Sequence, residues 1–413
     1  MSRLQGEIVD RERAIELLPG NRVTLLQNGE AYFTALEAAI DRAVHEIYLE
    51  TYIYKNDSTG LRIGAALQRA ARRGVKAHLL LDGFGSQDLP RSVTDELLAA
   101  GVAVAWFRKK ISPWTFKRKR LRRLHRKIAV VDRDIAFVGG INIADDMNTA
   151  DPAPFRYDYT VAVAGPLVQV ICLSARRLWS LVAWTTFRTG TAREGGLADA
   201  PSVVGTMQAG FLVRDNFRHR RDIEDAYLRA IEQAKFEVII ANAYFLPGIQ
   251  FRHALIDAVG RGVRVTLLVQ GRVEYLLQHY ATRALYGNLL DAGVEIQEYH
   301  ESFMHAKVAV IDERWATVGS SNLDPFSLLL SREANVVVDN EEFAGTLKQS
   351  LQEEIEKGAQ QISKENWHHQ PAPLRLLNWL SYGFMRLLMG ISGYADGYGP
   401  AGLRGRHRDR PDI

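Results

Sequence analysis

The chain repeats itself. Ala71-Arg72-Arg73-Gly74-Val75-Lys76 leading into Leu79-Leu80-Leu81-Asp82-Gly83 is echoed by Val259-Gly260-Arg261-Gly262-Val263-Arg264 leading into Leu267-Leu268-Val269-Gln270-Gly271. Ala100-Gly101-Val102 returns as Ala292-Gly293-Val294, and Ile47-Tyr48-Leu49-Glu50-Thr51-Tyr52 corresponds to the stretch from Val238 to Tyr244. A period of about 190 residues is too long for a solenoid, so the 413 residues divide into two domains of one fold, each with its own core. We place the first domain at 1–195, the second at 196–362, and a C-terminal segment at 363–413 that holds an interfacial helix and a flexible basic tail.

Short apolar runs alternate with helical patterns inside each half. In the first half the strand candidates are 47–54, 75–81, 102–107, 126–132, 135–138 and 157–163, and helices are predicted near 30–43, 61–73 and 91–100. Several helices end at Arg-Gly or Ala-Gly, which suits a glycine cap before the next strand. The alternation argues for an α/β fold of helices flanking a sheet. Asp132-Arg133-Asp134 and Asp312-Glu313-Arg314 look like hairpin turns, so the sheet is predicted to be mixed.

The pattern His-x-Lys-x-x-x-x-Asp also occurs twice, as His125…Lys127…Asp132 and His305…Lys307…Asp312, 180 residues apart. Fourteen residues after each His stands a Gly (Gly139, Gly319), and three further on an Asn (Asn142, Asn322). On a strand, a His and a Lys two apart project from one face. Asp132 and Asp312 belong to the motif and are counted with the catalytic set, but they point to the other face, where a turn or scaffold role suits them. Two His, two Lys and two Asn point to a phosphate centre: ammonium groups supply fixed charge, the amides neutral donors. One neutral His attacks phosphorus, and the other protonates the leaving oxygen and later activates the acceptor. The small residues before each Asn let donors approach an anion closely.

Both motifs, with their trailing Gly and Asn, resemble the paired signature of the phospholipase D superfamily over about residues 21–358. More narrowly, the chain resembles bacterial cardiolipin synthases of the shorter type, without N-terminal transmembrane helices. Supporting stretches are Leu26-Gln27-Asn28-Gly29-Glu30, Leu81-Asp82-Gly83, Asp158 ahead of Gly165-Pro166, Ala241-Asn242-Ala243-Tyr244-Phe245, the run from Ala316 to Pro325, and Glu333-Ala334-Asn335. The resemblance implies two phospholipase D-like domains with the active site at their pseudo-two-fold interface. It implies transfer of a phosphatidyl group from one phospholipid, phosphatidylglycerol or phosphatidylethanolamine, to a phosphatidylglycerol hydroxyl. It implies His125 as the nucleophile and no cofactor, with an acid in each half orienting the catalytic His; Asp158 and Glu333 stand where such acids are expected.

The repeat breaks at one place. Twenty-four residues separate Gly101 from His125, but only twelve separate Gly293 from His305. The surplus lies in a segment with eleven Lys or Arg between Arg108 and Lys127 and no acid, against a net charge of only +4 for the whole chain. Lys109, Lys110, Lys117, Arg118, Lys119, Arg120, Arg122 and Arg123, interleaved with Trp114 and Phe116, read as a landing pad for anionic lipid headgroups. Nucleic acid is the competing partner for such a run. Residues 374–391 are apolar and aromatic-rich but interrupted by Arg375, Gly383 and Arg386, which suits an interfacial helix rather than a span. The stretch 167–188 has helical length and is assigned to core packing or to linking the halves. The first twenty residues are charged and show no signal-peptide pattern, and no run of about twenty uncharged apolar residues occurs. These features predict a peripheral protein on the cytoplasmic side of a bacterial inner membrane. The single Cys172 excludes an intramolecular disulfide and reads as core, and the histidines lack chelating spacing for a metal. A monomer already holds a complete site, so an oligomer is not required. The alternatives are a phosphodiesterase hydrolysing phospholipid or nucleic acid, and a non-catalytic membrane-binding module.

Overall fold

The repeat becomes a repeated sheet. The computed structural model describes residues 15–109, 122–145, 156–187, 202–215, 219–324 and 331–391. The first half contributes β1 (Leu18–Gln27), β2 (Glu46–Thr51), β3 (Lys76–Asp82), β4 (Ala103–Phe107), β5 (Arg123–Leu124), β6 (Lys127–Val131), β7 (Ile135–Gly139) and β8 (Tyr159–Ala164). The second contributes β9 (Met207–Arg214), β10 (Glu237–Asn242), β11 (Arg264–Gln270), β12 (Glu295–Tyr299), β13 (Lys307–Ile311), β14 (Trp315–Gly319), β15 (Ser331–Asp339) and β16 (Ala359–Gln361). The orders are β1-β8-β7-β6-β2-β3-β4 and β9-β15-β14-β13-β10-β11-β12, the same path walked twice, and β1 pairs antiparallel with β9 to join them. Within each half three neighbouring strands are parallel and the hairpins antiparallel, giving the mixed sheet predicted from the turns.

The first-half strands and helices fall within a few residues of their predicted bounds. The parallel crossover from β2 to β3 runs through helix Ser58–Arg72, whose first turn is held by Asp57 accepting from the Gly60 N–H and whose apolar Ile63, Leu67 and Ala70 are buried. It ends at Gly74, where φ of +92° is a conformation glycine adopts without steric cost. Strand β1 was not among the predicted strands: its Pro19-Gly20 start reads as a turn, and only pairing with β8 and β9 makes it extended.

Alternation along the strands sorts the core into layers. Ile47 and Leu49 face the helices outside the first half, and Tyr48 faces inward. Val238, Ile240 and Ile239 repeat that division. The inner faces of both halves share one core with helices Leu167–Phe187 and Glu341–Gly358, in which Ile171, Ala175, Leu347 and Leu351 are fully buried. At roughly 1.5–3 kcal/mol for each large apolar side chain, this shared core binds the halves far more than the two-strand seam does. The 167–187 helix thus packs as core, with Cys172 buried in it. An 18-residue window in it, Leu167–Trp184, is long and apolar enough to cross a membrane, with 39% of it buried inside the protein. The expected boundary at 195 lies outside the described residues.

Both hairpin turns have two consecutive non-glycine residues in the left-handed region, Asp132 and Arg133 (φ 50° and 64°) and Asp312 and Glu313 (φ 52° and 50°). Each loop has three residues, since the last strand pairs are Val131 with Ile135 and Ile311 with Trp315. Asp132 accepts the N–H groups of Val44, His45 and Glu46 at 2.7, 2.7 and 2.8 Å, and Asp312 those of Lys235, Phe236 and Glu237 at 2.8, 2.8 and 2.9 Å. Each motif aspartate therefore ties a hairpin to the chain entering the neighbouring strand. These bonds to backbone amides at the turn end of the strand support the scaffold role expected from strand geometry, and we propose that role for both aspartates.

Candidate active site

His125 and His305 each lie two residues before a central strand, held by the opposite half. The His125 N–H donates to the Arg332 carbonyl (3.0 Å), where β5 runs parallel to the start of β15. The His305 N–H donates to the Tyr157 carbonyl (2.7 Å), beside a parallel bridge between Tyr157 and Met304. The preceding residue is also fixed in both halves: Leu124 N–H donates to Asp82 (2.7 Å) and Met304 N–H to Gln270 (2.8 Å). Asp82 and Gln270 occupy matching places in the repeat, so the sequence carried this signal.

The side chains are crossed in the same way. Nδ1–H of His125 donates to both oxygens of Glu333, at 2.9 and 3.1 Å, and Nδ1–H of His305 donates to Asp158 at 2.7 Å. Offsets counted along the chain place one acid in each half, but the partner of each histidine comes from the other half. An ionised carboxylate only accepts, so both imidazoles carry a proton on Nδ1 and leave Nε2, protonated in one ring and bare in the other, for chemistry. Glu333 also accepts from Ser320 Oγ (2.6 Å), and the Asp158 carboxylate accepts the Tyr159 N–H (2.7 Å). The residue equivalent to Ser320 is Gly140, where a Cβ would lie 2.4 Å from the Asp158 oxygens. Small residues at this position make room for the carboxylate rather than for substrate alone.

Lys127 and Lys307 are buried, and each ammonium donates to the carbonyl of its own histidine, Lys127 Nζ at 2.7 Å. Burial, and then the charge of Lys307, brings Lys127 down to about 7 against the pull of Glu333; burial, helped by Arg156, brings Lys307 to about 8 against Asp158 and Glu333. Burial likewise raises Asp158 to about 6. Glu333 is held below its ordinary range despite burial, because His125 and Lys127 stand beside it. Burial lowers the basicity of His125, with Glu333 opposing; burial, Lys307 and Arg156 lower His305 much further. Two buried cations kept in place at such cost mark a site built for an anion.

Asn142 and Asn322 lie three residues past the ends of β7 and β14. Oδ1 of Asn142 accepts the Ile53 N–H (3.1 Å), so its amide offers donors; Asn322 is buried. Tyr52 lies edge-on to His125 with ring centres 4.8 Å apart, and Tyr244 lies 6.5 Å from His305. Glu274, which no repeat or motif singles out, accepts from Arg156 (2.8 Å) and Tyr244 (2.6 Å) and so adds a charged pair next to His305 alone. Of the basic segment, Lys109 lies over the Trp106 ring (4.6 Å) and Arg123, preceded by Arg122, over Phe84 (4.7 Å). Lys110, Lys117, Arg118, Lys119 and Arg120 lie outside the described residues.

A duplicated sheet with two crossed histidine–carboxylate pairs and two buried lysines defines a phosphoryl-transfer enzyme of the phospholipase D type. The family model described as "Cardiolipin synthase, PLD-like domain" matches residues 36–151 and again 227–355. The chain is 39% identical over 397 residues to cardiolipin synthase B of Escherichia coli K12 and 38% over 396 residues to that of Shigella flexneri, covering 92% of each chain in both cases. It is 30% identical to the cardiolipin synthase of Geobacillus kaustophilus, covering 87% of this chain and 71% of that one. In fold it matches phosphatidylserine synthase of Haemophilus influenzae with a TM-score of 0.69 at 13% identity, covering 94% and 100% of the two chains. The chain belongs to the cardiolipin synthase family, phosphatidyltransferases of the phospholipase D superfamily.

Proposed function

We propose that this enzyme transfers a phosphatidyl group from one phosphatidylglycerol to a hydroxyl of a second, with phosphatidylethanolamine as the alternative donor, through a phosphohistidine. The observation that carries the reading is the crossed pairing: two imidazoles, each oriented by a carboxylate, with Nε2 unused. His125 Nε2 attacks phosphorus, the P–O bond to the leaving glycerol breaks, and that oxygen takes a proton from Nε2 of His305. The acceptor hydroxyl then returns a proton to His305 as its oxygen displaces the phosphatidyl group and the N–P bond breaks. Lys127, Lys307, Asn142 and Asn322 stabilise the phosphoryl oxygens. The stronger loss of basicity at His305 favours a second reading, in which His305 is the neutral nucleophile and His125, beside ionised Glu333, holds the proton. Trapping decides it: phosphate on a peptide containing His125 supports the first order, and on His305 the second.

We place the enzyme peripherally on the cytoplasmic face of the inner membrane, with Lys109, Arg122 and Arg123 toward anionic headgroups, and no oligomer is needed for activity. Incubation with phosphatidylglycerol vesicles, with and without phosphatidylethanolamine, followed by mass spectrometry of the lipids, tests the reaction beside His125→Ala and His305→Ala. Cardiolipin formed by the wild type and lost in both variants is the result expected. Phosphatidic acid as the sole product makes the enzyme a hydrolase, and inert lipid with cleaved single-stranded DNA makes it a nuclease.

A further inference from the structure

Ten of the 21 exposed large hydrophobic side chains among the described residues fall in two short stretches, 273–277 and 376–387. The second is in helix Ala372–Ile391, which packs against helix Leu276–Arg283. This helix is inside out. The stripe it buries is Asn378, Ser381 and Met385, at 4%, 7% and 3% exposure, spaced three and four apart on one face. Leu376, Leu380, Phe384 and Leu387 share the opposite face, 49–59% exposed, with Trp379 beside them at 67%. A helix serving only as a lid on the core does the reverse. The helix contains no acid, and its two cations, Arg375 and Arg386, project together along the Trp379 edge of the apolar face.

The second stretch extends this surface to the active site. Val273, Tyr275, Leu276 and Leu277 are exposed on the loop and first turn of the partner helix. The Tyr275 ring lies 5.9 Å from that of Tyr244, which in turn faces His305. Nothing equivalent follows β3 in the first half, where residues 83–90 form turns and no helix stands in this place. The apolar surface is therefore an addition to the second half, one aromatic layer from its histidine.

We propose that helices Leu276–Arg283 and Ala372–Ile391 form one membrane-docking surface, lying in the headgroup–acyl boundary of an anionic bilayer and holding the His305 side of the active site against it. The occupant is argued from charge and placement. Arg375 and Arg386 suit anionic headgroups at the edge of an apolar sector, their stems lying along it while the guanidinium groups stay at headgroup level. A two-fold contact between copies through this face would set those arginines near their own counterparts with no acid on the helix to pair them. The proposal rests on a lipid-acting reading of the site, and it names the surface that reading requires.

The test is vesicle binding by the full chain, read without turnover. Wild type, the triple variant Trp379→Ser/Leu380→Ser/Phe384→Ser and a control triple, Val44→Ser/Leu98→Ser/Phe236→Ser, are co-sedimented with phosphatidylcholine vesicles with and without phosphatidylglycerol. Removing three large apolar groups from the boundary is expected to cut partitioning by at least about tenfold, while the control triple leaves it unchanged. Brominated acyl chains give a second readout that asks little of folding: they quench wild-type tryptophan fluorescence, and the quenched share falls in Trp379→Phe. Equal binding by both triples, quenching untouched in Trp379→Phe, or a wild-type dimer that the first triple splits without loss of vesicle binding overturns the proposal. Cardiolipin formation is scored separately, so failure here leaves the catalytic reading standing.

Discussion

At each histidine the decisive neighbour is a carboxylate 208 or 147 residues away along the chain. Such a carboxylate fixes the tautomer and stabilises the imidazolium formed in the reaction, so replacing it with an amide leaves shape intact but removes both effects. Glu333→Gln and Asp158→Asn are each expected to lower kcat by about 10²- to 10⁴-fold with KM little changed, measured as lipid product per time; a change confined to KM would make these acids substrate contacts instead. The lysines set the alkaline limit. With Lys127 near 7 and Lys307 near 8, raising the pH removes the charge that holds the phosphate, whereas lowering it below about 6 protonates Asp158 and ends its hold on His305. kcat/KM is therefore expected to peak between roughly 6 and 7 and fall on both sides. A profile flat to pH 10 would show that the lysine charges do not carry binding.

At the level of elements, the two motif aspartates are hairpin anchors, and their loss belongs to stability rather than rate. Asp132→Ala and Asp312→Ala each give up three charge-assisted hydrogen bonds at a turn with two left-handed residues. We expect about 1–3 kcal/mol lost per variant in denaturant unfolding, with activity per folded molecule retained. Activity lost with no change in stability would return these residues to the chemistry. The turn and the strand pair were legible in the sequence, because they depend on spacings within one hairpin, although each His stands two residues before its strand rather than on it. The crossing of Glu333 and Asp158 was not legible, since offsets within a half carry no information about which half supplies the partner. Strand β1 was hidden by Pro19-Gly20, and Glu274 was hidden because the first half has no counterpart to flag it. The polar stripe of helix Ala372–Ile391 could be read as letters, but only packing shows that it faces inward.

For the molecule as a whole, the halves share strand pairing, a central core and both halves of each catalytic pair, so their covalent link is the least of what joins them. A protease site inserted at residue 195 and cleaved after folding is expected to leave two fragments that co-elute in size exclusion and retain most of the activity. Separation into two inactive pieces would mean that the connecting segment, rather than the shared core, holds the halves together.

The crossed pairs have a consequence for descent. Each copy of the duplicated unit carries the acid that the other copy's histidine needs, so neither can decay, specialise or be exchanged by recombination on its own. Compensating substitutions in this lineage are to be sought between positions 125 and 333 and between 158 and 305, across the duplication. An ancestor carrying a single copy would have had to borrow its acid from a second molecule. Carrying both copies on one chain makes that partnership permanent.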